Sequence, residues 1–439
     1  MTERPAGGRP GVHQVLATLG YGDAIGNEVL GIQRVLREAG FASDIFVETA
    51  DPRLEPLTRD FRDLLDASRP DNLLIHHFSI GSKASRVAYA LPDRMMLVYH
   101  NITPPEYFAG VHRELAKLCF RGRRELRAYA RRCELAAGDS EFNRQELEAF
   151  GFPDTAVLPV VPDFSHLDVA PNRLMAGQFD DGWRNILFVG RIIPHKRIED
   201  VIRIFHAYKT DWNPRSRLLI VGSYGGFDKY LASLHHLVAD LGVGDVHILG
   251  QVTNEELTAY YDVADLFLCA SEHEGFCVPL VESFYKELPV VAYAATAVPS
   301  TMDGAGVLFD TKDPERVAAL VDAVLSDEAL RDRIVDGQLD ALERLQRRDF
   351  AGTLLGLVDR ALTVPKRPLV DVAWDFWSQF EAMDRLEELR LDRPALYKAL
   401  PEAPDGPQRN AAHRAAATGT ERAVTRASEE SRGSGQSPD

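Results

Sequence analysis

Short apolar runs alternate with amphipathic helical stretches along almost the whole chain, and the alternation restarts once. Val12–Leu19, Ser43–Glu48, Asn72–Ser79, Arg94–Asn101, Leu135–Ser140 and Thr155–Pro162 read as strands. Ile25–Ala39 reads as a helix, because Val29, Leu30, Ile32, Val35 and Leu36 fall close to a 3.6-residue period. A second helix is expected over Val111–Leu135. Residues 162–183 then break the pattern with proline and glycine turn signals. After the break, Asn185–Gly190, Arg217–Gly222, Val246–Gly250, Leu266–Ser271 and Pro289–Ala294 read as a second series of strands. Repeated strand–helix units demand parallel sheets with helices on both faces. The expected fold class is therefore α/β, with two doubly wound domains facing across a cleft.

The expected divisions follow from this pattern. Residues 1–11 are polar and rich in Gly and Pro, and are expected to be disordered. Residues 12–165 form the first domain, 166–184 a linker and 185–365 the second domain. Helices over 371–391 and 395–400 are expected within 366–400, packing back toward the first domain. From Pro401 to Asp439 the only apolar residues are eight Ala and one Val, too few to offset chain entropy, so a disordered tail is expected.

Charge and cysteine content narrow the function classes. The 439 residues carry a net charge of −16, which argues against a general nucleic-acid binder. Cys119, Cys133, Cys269 and Cys277 form no CxxC pair and have no zinc-type spacing, so reduced thiols in a cytoplasmic protein are expected. The first eleven residues hold no apolar h-region and no run in the sequence approaches 18 apolar residues, so neither a secretory signal nor a membrane span is expected. Val111–Leu135 is the exception to the acidity, with net charge +5. Such a helix suits a solvated face or peripheral contact with anionic lipid at an inner membrane surface.

The most informative segment runs from Ala264 to Glu282. An apolar strand leads into Glu274-Gly275-Phe276-Cys277, and Pro279 suits the first turn of a following helix. Two carboxylates and free backbone N–H groups thus meet at one helix N-terminus, outside the carboxyl end of a parallel strand. Upstream, Phe188-Val189-Gly190-Arg191-Ile192-Ile193-Pro194-His195-Lys196 closes the first strand of the second series.

The Glu274-x7-Glu282 spacing, together with this upstream motif, resembles the retaining family 4 glycosyltransferases (glycosyl transferases group 1) of the GT-B fold. The resemblance covers about Asn185–Leu345 and passes through Gly250-Gln251-Val252. It implies two Rossmann-like domains, an acceptor side first and a nucleotide-sugar donor side second. It implies that Arg191 and Lys196 hold the donor diphosphate, that Glu282 binds ribose hydroxyls and that Glu274 orients the donor sugar. Gly190, Gly250, Val252, Gly275, Phe276, Cys277 and Val278 would line the donor. His100, in Tyr99-His100-Asn101-Ile102-Thr103-Pro104, is similar to the family's active-site histidine. Gly22 and Gly26 are similar to its glycine-rich loop near the phosphate and acceptor. Cys277 departs from the family, which often has Gly there, and a side chain at that point narrows the sugar pocket.

The implied reaction moves a hexose such as mannose or glucose from a nucleotide-diphosphate sugar to a hydroxyl acceptor. The acceptor would be a glycan, a lipid-linked molecule or a small molecule, in polysaccharide, lipopolysaccharide or glycolipid synthesis. Configuration would be retained and no metal or other cofactor used; no Asp-x-Asp occurs in the chain. Two alternatives share the motifs, a sugar-nucleotide epimerase on the same fold and a non-catalytic nucleotide-sugar-binding scaffold. Val221-Gly222-Ser223-Tyr224-Gly225-Gly226 is not GxGxxG, which argues against a nicotinamide enzyme. His76 and His77 end another strand and are read as structural.

Overall fold

The structure is a computed structural model that describes residues 9–160, 162–369, 372, 385, 389–390 and 392–399. Two parallel sheets organise it. The first contains β1 (Val12–Leu19), β2 (Ile45–Ala50), β3 (Thr58–Asp60), β4 (Leu73–Phe78), β5 (Arg94–Tyr99), β6 (Leu135–Gly138) and β7 (Thr155–Val157). Its strand order is 3-2-1-4-5-6-7. The second contains β8 (Arg184–Val189), β9 (Ser216–Val221), β10 (Val246–Gly250), β11 (Leu266–Cys269), β12 (Val290–Tyr293) and β13 (Val307–Phe309), in the order 10-9-8-11-12-13. Every pairing in both sheets is parallel.

The strand order reverses between β1 and β4 in one sheet and between β8 and β11 in the other. Open α/β sheets bind ligands in the crevice beyond such switch points. The loops that leave β8 and β11 are the two motifs singled out in the sequence. β4 and β9 are buried along their whole length, as sheets covered on both faces require.

Helix Ala24–Glu38 starts where Asp23 accepts from the Gly26 N–H at 2.6 Å, and it buries Val29, Ile32 and Leu36 on one face. The basic helix is shorter than expected, Arg113–Tyr129, and ends ahead of the turn into β6. Its cations are only partly available to a surface. Arg132, just beyond it, is fully buried and donates to the carbonyls of Tyr89, Leu91 and Asp93. Arg123 is held by Glu146 at 2.6 Å, whereas Arg113, Arg127 and Arg131 are exposed.

Two expected divisions shift. Residues 166–184 do not form a free connector. Leu167 and Phe179 are buried in the second core, Arg173–Phe179 is helical, and Phe164 stacks on Tyr285 with centroids 4.7 Å apart. The return to the first half comes before residue 366. Helix Phe350–Thr363 packs on the first sheet, burying Leu354, Leu357 and Val358 against Leu73, Ile75, Met96 and Val98. Burial of each such side chain stabilises by about 1.5–3 kcal/mol, which decides where this helix sits. Beyond it, Lys366 Nζ donates to the Pro70 carbonyl at 2.7 Å and the Arg367 N–H to Glu134 at 2.9 Å. β3 and β13 are strands the sequence pattern does not reveal, each three residues long. In the short terminal unit, Pro394–Ala399 is helical. Residues 1–8, most of the helix expected over 371–391 and the tail 401–439 lie outside the described residues.

Candidate active site

Two loops at the second switch point supply most of the expected groups. Gly190 and Gly222 bring the ends of β8 and β9 together so closely that a Cβ on Gly222 would lie 1.9 Å from the Gly190 carbonyl oxygen. The loop after β8 then carries Arg191 outward and turns Lys196 inward. Lys196 Nζ donates to both oxygens of Glu274, at 2.6 and 2.8 Å, and both side chains are largely buried. Burial opposes the Lys196 ammonium, but Glu274 outweighs it and keeps the charge on through any ordinary pH. Arg191 differs. Among the described residues no carboxylate pairs with it, and its guanidinium lies 5.8 Å from the Phe227 ring centroid. Desolvation lowers its pKa with no charge partner to restore it. An anion beside Arg191 would supply that partner.

The helix after β11, Val278–Tyr285, begins without a side-chain cap and has no acidic residue in its first turn. Its N-terminal N–H groups therefore offer a positive end to an anion. Cys277 precedes it with φ +75°, the left-handed region that favours glycine. One turn in, Glu282 is buried. Tyr261 donates to its Oε2 and His166 Nε2 meets its Oε1, each at 2.9 Å. His166 Nδ1 lies 3.1 Å from the Asp163 carbonyl and must donate to it, so Nε2 also carries a proton when it faces Glu282. The hydrogen bond to Glu282 accordingly raises the His166 pKa. Gly250 has φ +71° at the end of β10, and Val252 packs partly buried against the second core.

The first half meets this loop directly. A Cβ on Gly275 would lie 3.1 Å from the His100 carbonyl oxygen and 3.1 Å from Asn101 Cβ, tight enough that a side chain there would push the two loops apart by a few tenths of an ångström. Asn101 bonds His273 across the cleft and donates to Asn143 Oδ1 at 2.7 Å. Tyr107 and Phe108 rest edge-on against His195, with centroids 6.0 and 5.8 Å away. A cavity of about 350 Å³ lies between Asp139 and Ser140 on one side and Phe276 and Thr301 on the other.

The glycine-rich loop after β1 splits in role. Gly26 is buried, and a Cβ there would lie 2.1 Å from the Gly20 carbonyl oxygen, so it serves close packing. Gly22 has φ +74°, with no heavy atom within 4 Å of where a Cβ would stand. His100 is buried at the end of β5, bonded to His77 at 2.9 Å. His77 thus packs beside His100, the residue the resemblance singles out. His76 bonds Ser85 at 3.0 Å and is structural, as read from sequence. Sequence reasoning passed over Gln14, Glu28 and Asp139, which surround His77 and His100; nothing in their local sequence sets them apart.

The four cysteines are buried and free. Cys269, Glu274 and Cys277 place potential ligand atoms within 4.8 Å of one another. Lys196 already holds both Glu274 oxygens, and that fixed cation competes with a metal for them.

Comparison with known proteins agrees with this geometry. Residues 176–338 match the family profile of glycosyl transferases group 1. The O-antigen chain mannosyltransferase B of Escherichia coli is 26% identical over 199 residues, 44% of this chain and 52% of that protein. The D-inositol 3-phosphate glycosyltransferase of a Nocardioides species is 32% identical over 189 residues, 40% of this chain and 41% of that protein. The chain thus spans about half or less of these relatives' lengths. Among solved structures, sucrose-phosphate synthase from Thermosynechococcus elongatus superposes with TM-score 0.61 at 17% identity, covering 81% of this chain and 99% of that one. Anabaena HepE, in complex with UDP-glucose, gives 0.63 at 14% identity, covering 79% and 99%. Arg191, Lys196, Glu274 and Glu282 all fall inside the matched segment, and the two-sheet architecture around them is that of these structures. Residues 176–338 are thus similar to the glycosyl transferases group 1, and the two sheets have the GT-B fold.

Proposed function

We propose that this protein is a hexosyltransferase that moves a sugar from a nucleotide-diphosphate donor to a hydroxyl acceptor. One observation carries the reading. The second switch point gathers an unpaired guanidinium, a buried ammonium, an uncapped helix N-terminus and a buried carboxylate within two loops. Cations and N–H dipoles suit a diphosphate, and a carboxylate one turn deeper suits ribose hydroxyls.

The chemistry follows from that placement. Breaking the sugar–phosphate bond puts negative charge on the departing diphosphate. Arg191 and Lys196 stand as fixed cations where that charge grows, and removing one such group typically costs about 10²–10³ in rate. Glu274 holds the Lys196 ammonium in place and turns its carboxylate toward hydroxyls of the donor sugar. Retention follows if the acceptor hydroxyl attacks from the face the phosphate leaves, with the leaving phosphate oxygen taking its proton. The stationary cations supply the electrostatics of this step without a metal. Cys277 narrows the pocket around the sugar.

The named activity of the O-antigen relative favours mannose and polysaccharide synthesis, and the UDP-glucose in the HepE complex favours glucose. Arg113, Arg127 and Arg131 leave a reduced basic face for peripheral contact with anionic lipid in the cytoplasm. Among the described residues no helix is long and apolar enough to cross a membrane.

The test offers UDP-, GDP-, ADP- and dTDP-hexoses with glycan and lipid-linked acceptors in excess chelator, and reads released nucleotide and product anomer by NMR. Acceptor-dependent release with retention, depressed in Lys196→Ala, is expected. Isomerised donor without acceptor would replace the reading with an epimerase, and binding without turnover would replace it with a scaffold.

A further inference from the structure

The first side of the cleft holds a chain of hydrogen bonds that the reaction above does not use. Gln14, on β1, donates its amide N–H to the Val29 carbonyl at 3.1 Å, which leaves Oε1 as an acceptor. His77 Nε2 meets that oxygen at 2.9 Å, so Nε2 carries the proton and Nδ1 is a lone pair. His100 Nε2 lies 2.9 Å from that lone pair and must donate to it. The two rings are nearly coplanar, tilted by only 8° with centroids 5.1 Å apart, as an in-plane N–H···N bond requires. The tautomers of both histidines are thereby set from Gln14 outward.

One nitrogen remains. His100 Nδ1 faces Glu28 Oε2 at 3.6 Å and Asp139 Oδ2 at 3.7 Å, and all three side chains are buried. A lone pair on Nδ1 would oppose two carboxylates. A proton there makes both contacts attractive.

We propose that Gln14 and His77 are positioning residues for His100, and that Glu28 and Asp139 keep one proton shared on the His100 Nδ1–Glu28 pair through neutral pH. His100 Nδ1–H then stands as a fixed donor toward Glu28 and Asp139 on the first side of the cleft, while the His100 carbonyl lies against the Gly275 loop. What that donor serves rests on the transferase reading; the proton itself does not.

The surrounding charges agree. Burial lowers the His100 pKa, but Glu28, Asp139 and Asp23 together raise it. Burial pushes Glu28 up to about 7, with His100 pulling it down and Asp139 pushing it up. The other titratable groups facing the pair are His77 and His76 on β4. Burial, and then His100, hold both neutral, His76 down to about 3. The pair therefore has no competing cation on β4.

The test uses the full-length, ligand-free chain with isotope-labelled histidine, and follows the ring nitrogens by NMR against pH. In the wild type, His77 is expected as the neutral Nε2–H form. The His100 midpoint should lie above the ordinary value of about 6.5. Glu28→Gln should lower that midpoint by on the order of one pH unit or more. Gln14→Leu should release His77 into mixed tautomers, which a purely structural role would not do. Should Gln14→Leu fail to fold, the wild type and Glu28→Gln decide. A His100 midpoint at the ordinary value, or one indifferent to Glu28→Gln, would overturn the proposal. Thermal unfolding of the same samples with UDP and GDP separates the two readings. An intact His100 titration without any nucleotide effect counts against the transferase alone, and the converse counts against this proposal alone.

Discussion

On the second side of the cleft, Arg191, Lys196, Glu274 and Glu282 come from two loops at one switch point. On the first side, Gln14, Glu28, His77, His100 and Asp139 come from β1, the first helix, β4 and the ends of β5 and β6. The same sheet topology underlies both. The second side concentrates charge in the order the chain is written, and leaves Arg191 and a helix end free for an anion. The first side satisfies its groups mostly with one another and holds one proton among them. On the proposed reading a diphosphate sits on the second side, whereas the first side orients a single ring.

The largest break in this comparison is Lys196→Ala. Its transfer rate should fall about 10²–10³-fold, with donor affinity changing less. Glu274 would be left as a buried unpaired carboxylate, so the variant should also lose stability, on the order of 3 kcal/mol. Lys196→Ala/Glu274→Ala should regain stability but not rate. Rate and unfolding midpoints, measured together, separate the two effects.

Glu282→Ala comes next. Losing hydrogen bonds from a charged acceptor costs about 1.5–3 kcal/mol, so diphosphate affinity should fall roughly 10–100-fold by calorimetry. The His166 titration midpoint should drop at the same time, because Glu282 holds it up.

The two sides should respond to pH in opposite directions. Burial lowers His273, on the second side, to about 4. The native state then binds fewer protons than the unfolded chain between about pH 4 and the ordinary histidine value. Its contribution is full above about pH 6.5 and is lost as pH falls through about 4, at about 1.4 kcal/mol per unit. Glu28, on the first side, is raised to about 7. Its contribution is present below about pH 4.5 and is lost as pH rises through about 7. Over this nearly shared window His273→Asn should remove a rise of the midpoint with pH, and Glu28→Gln a fall, so the two variants should bend the midpoint-against-pH curve in opposite senses. Identical curves would erase the contrast.

The smallest effect is expected at Cys277→Gly. It relieves a left-handed φ worth roughly 1 kcal/mol and forfeits a small buried side chain, so stability should stay within about 1 kcal/mol. Donor selectivity should broaden, read as the rate ratio between bulkier and smaller sugars.

The same contrast explains what could be read from sequence. Parallel strands buried on both faces write themselves as apolar runs, so β1, β4, β8, β9 and β11 are legible to within about two residues. β3 and β13 are too short to show a period. Glu274 and Glu282 are legible because one loop and one helical turn fix their separation. Gln14 and Glu28 are not, since a polar residue in a buried strand and an acid in an amphipathic helix signal nothing until His77 and His100 lie beside them. Helix Phe350–Thr363 lies on the first sheet although the sequence pattern groups residues up to 365 with the second domain, for a related reason. Its apolar face is plain in sequence, but which of two sheets it covers is decided by contacts about 250 residues away, such as Arg94 with the Ala361 carbonyl.

The central claim is that the second switch point binds a nucleoside diphosphate without a metal. Thermal unfolding with GDP, UDP, ADP and dTDP in excess chelator, for wild type and Glu282→Ala side by side, tests it most directly. A ligand at 100 times its dissociation constant adds about 2.7 kcal/mol to the native state, a readily visible rise in midpoint. The account predicts such a rise with at least one diphosphate, and its loss in Glu282→Ala. No rise with any of the four, or an equal rise in the variant, would contradict it.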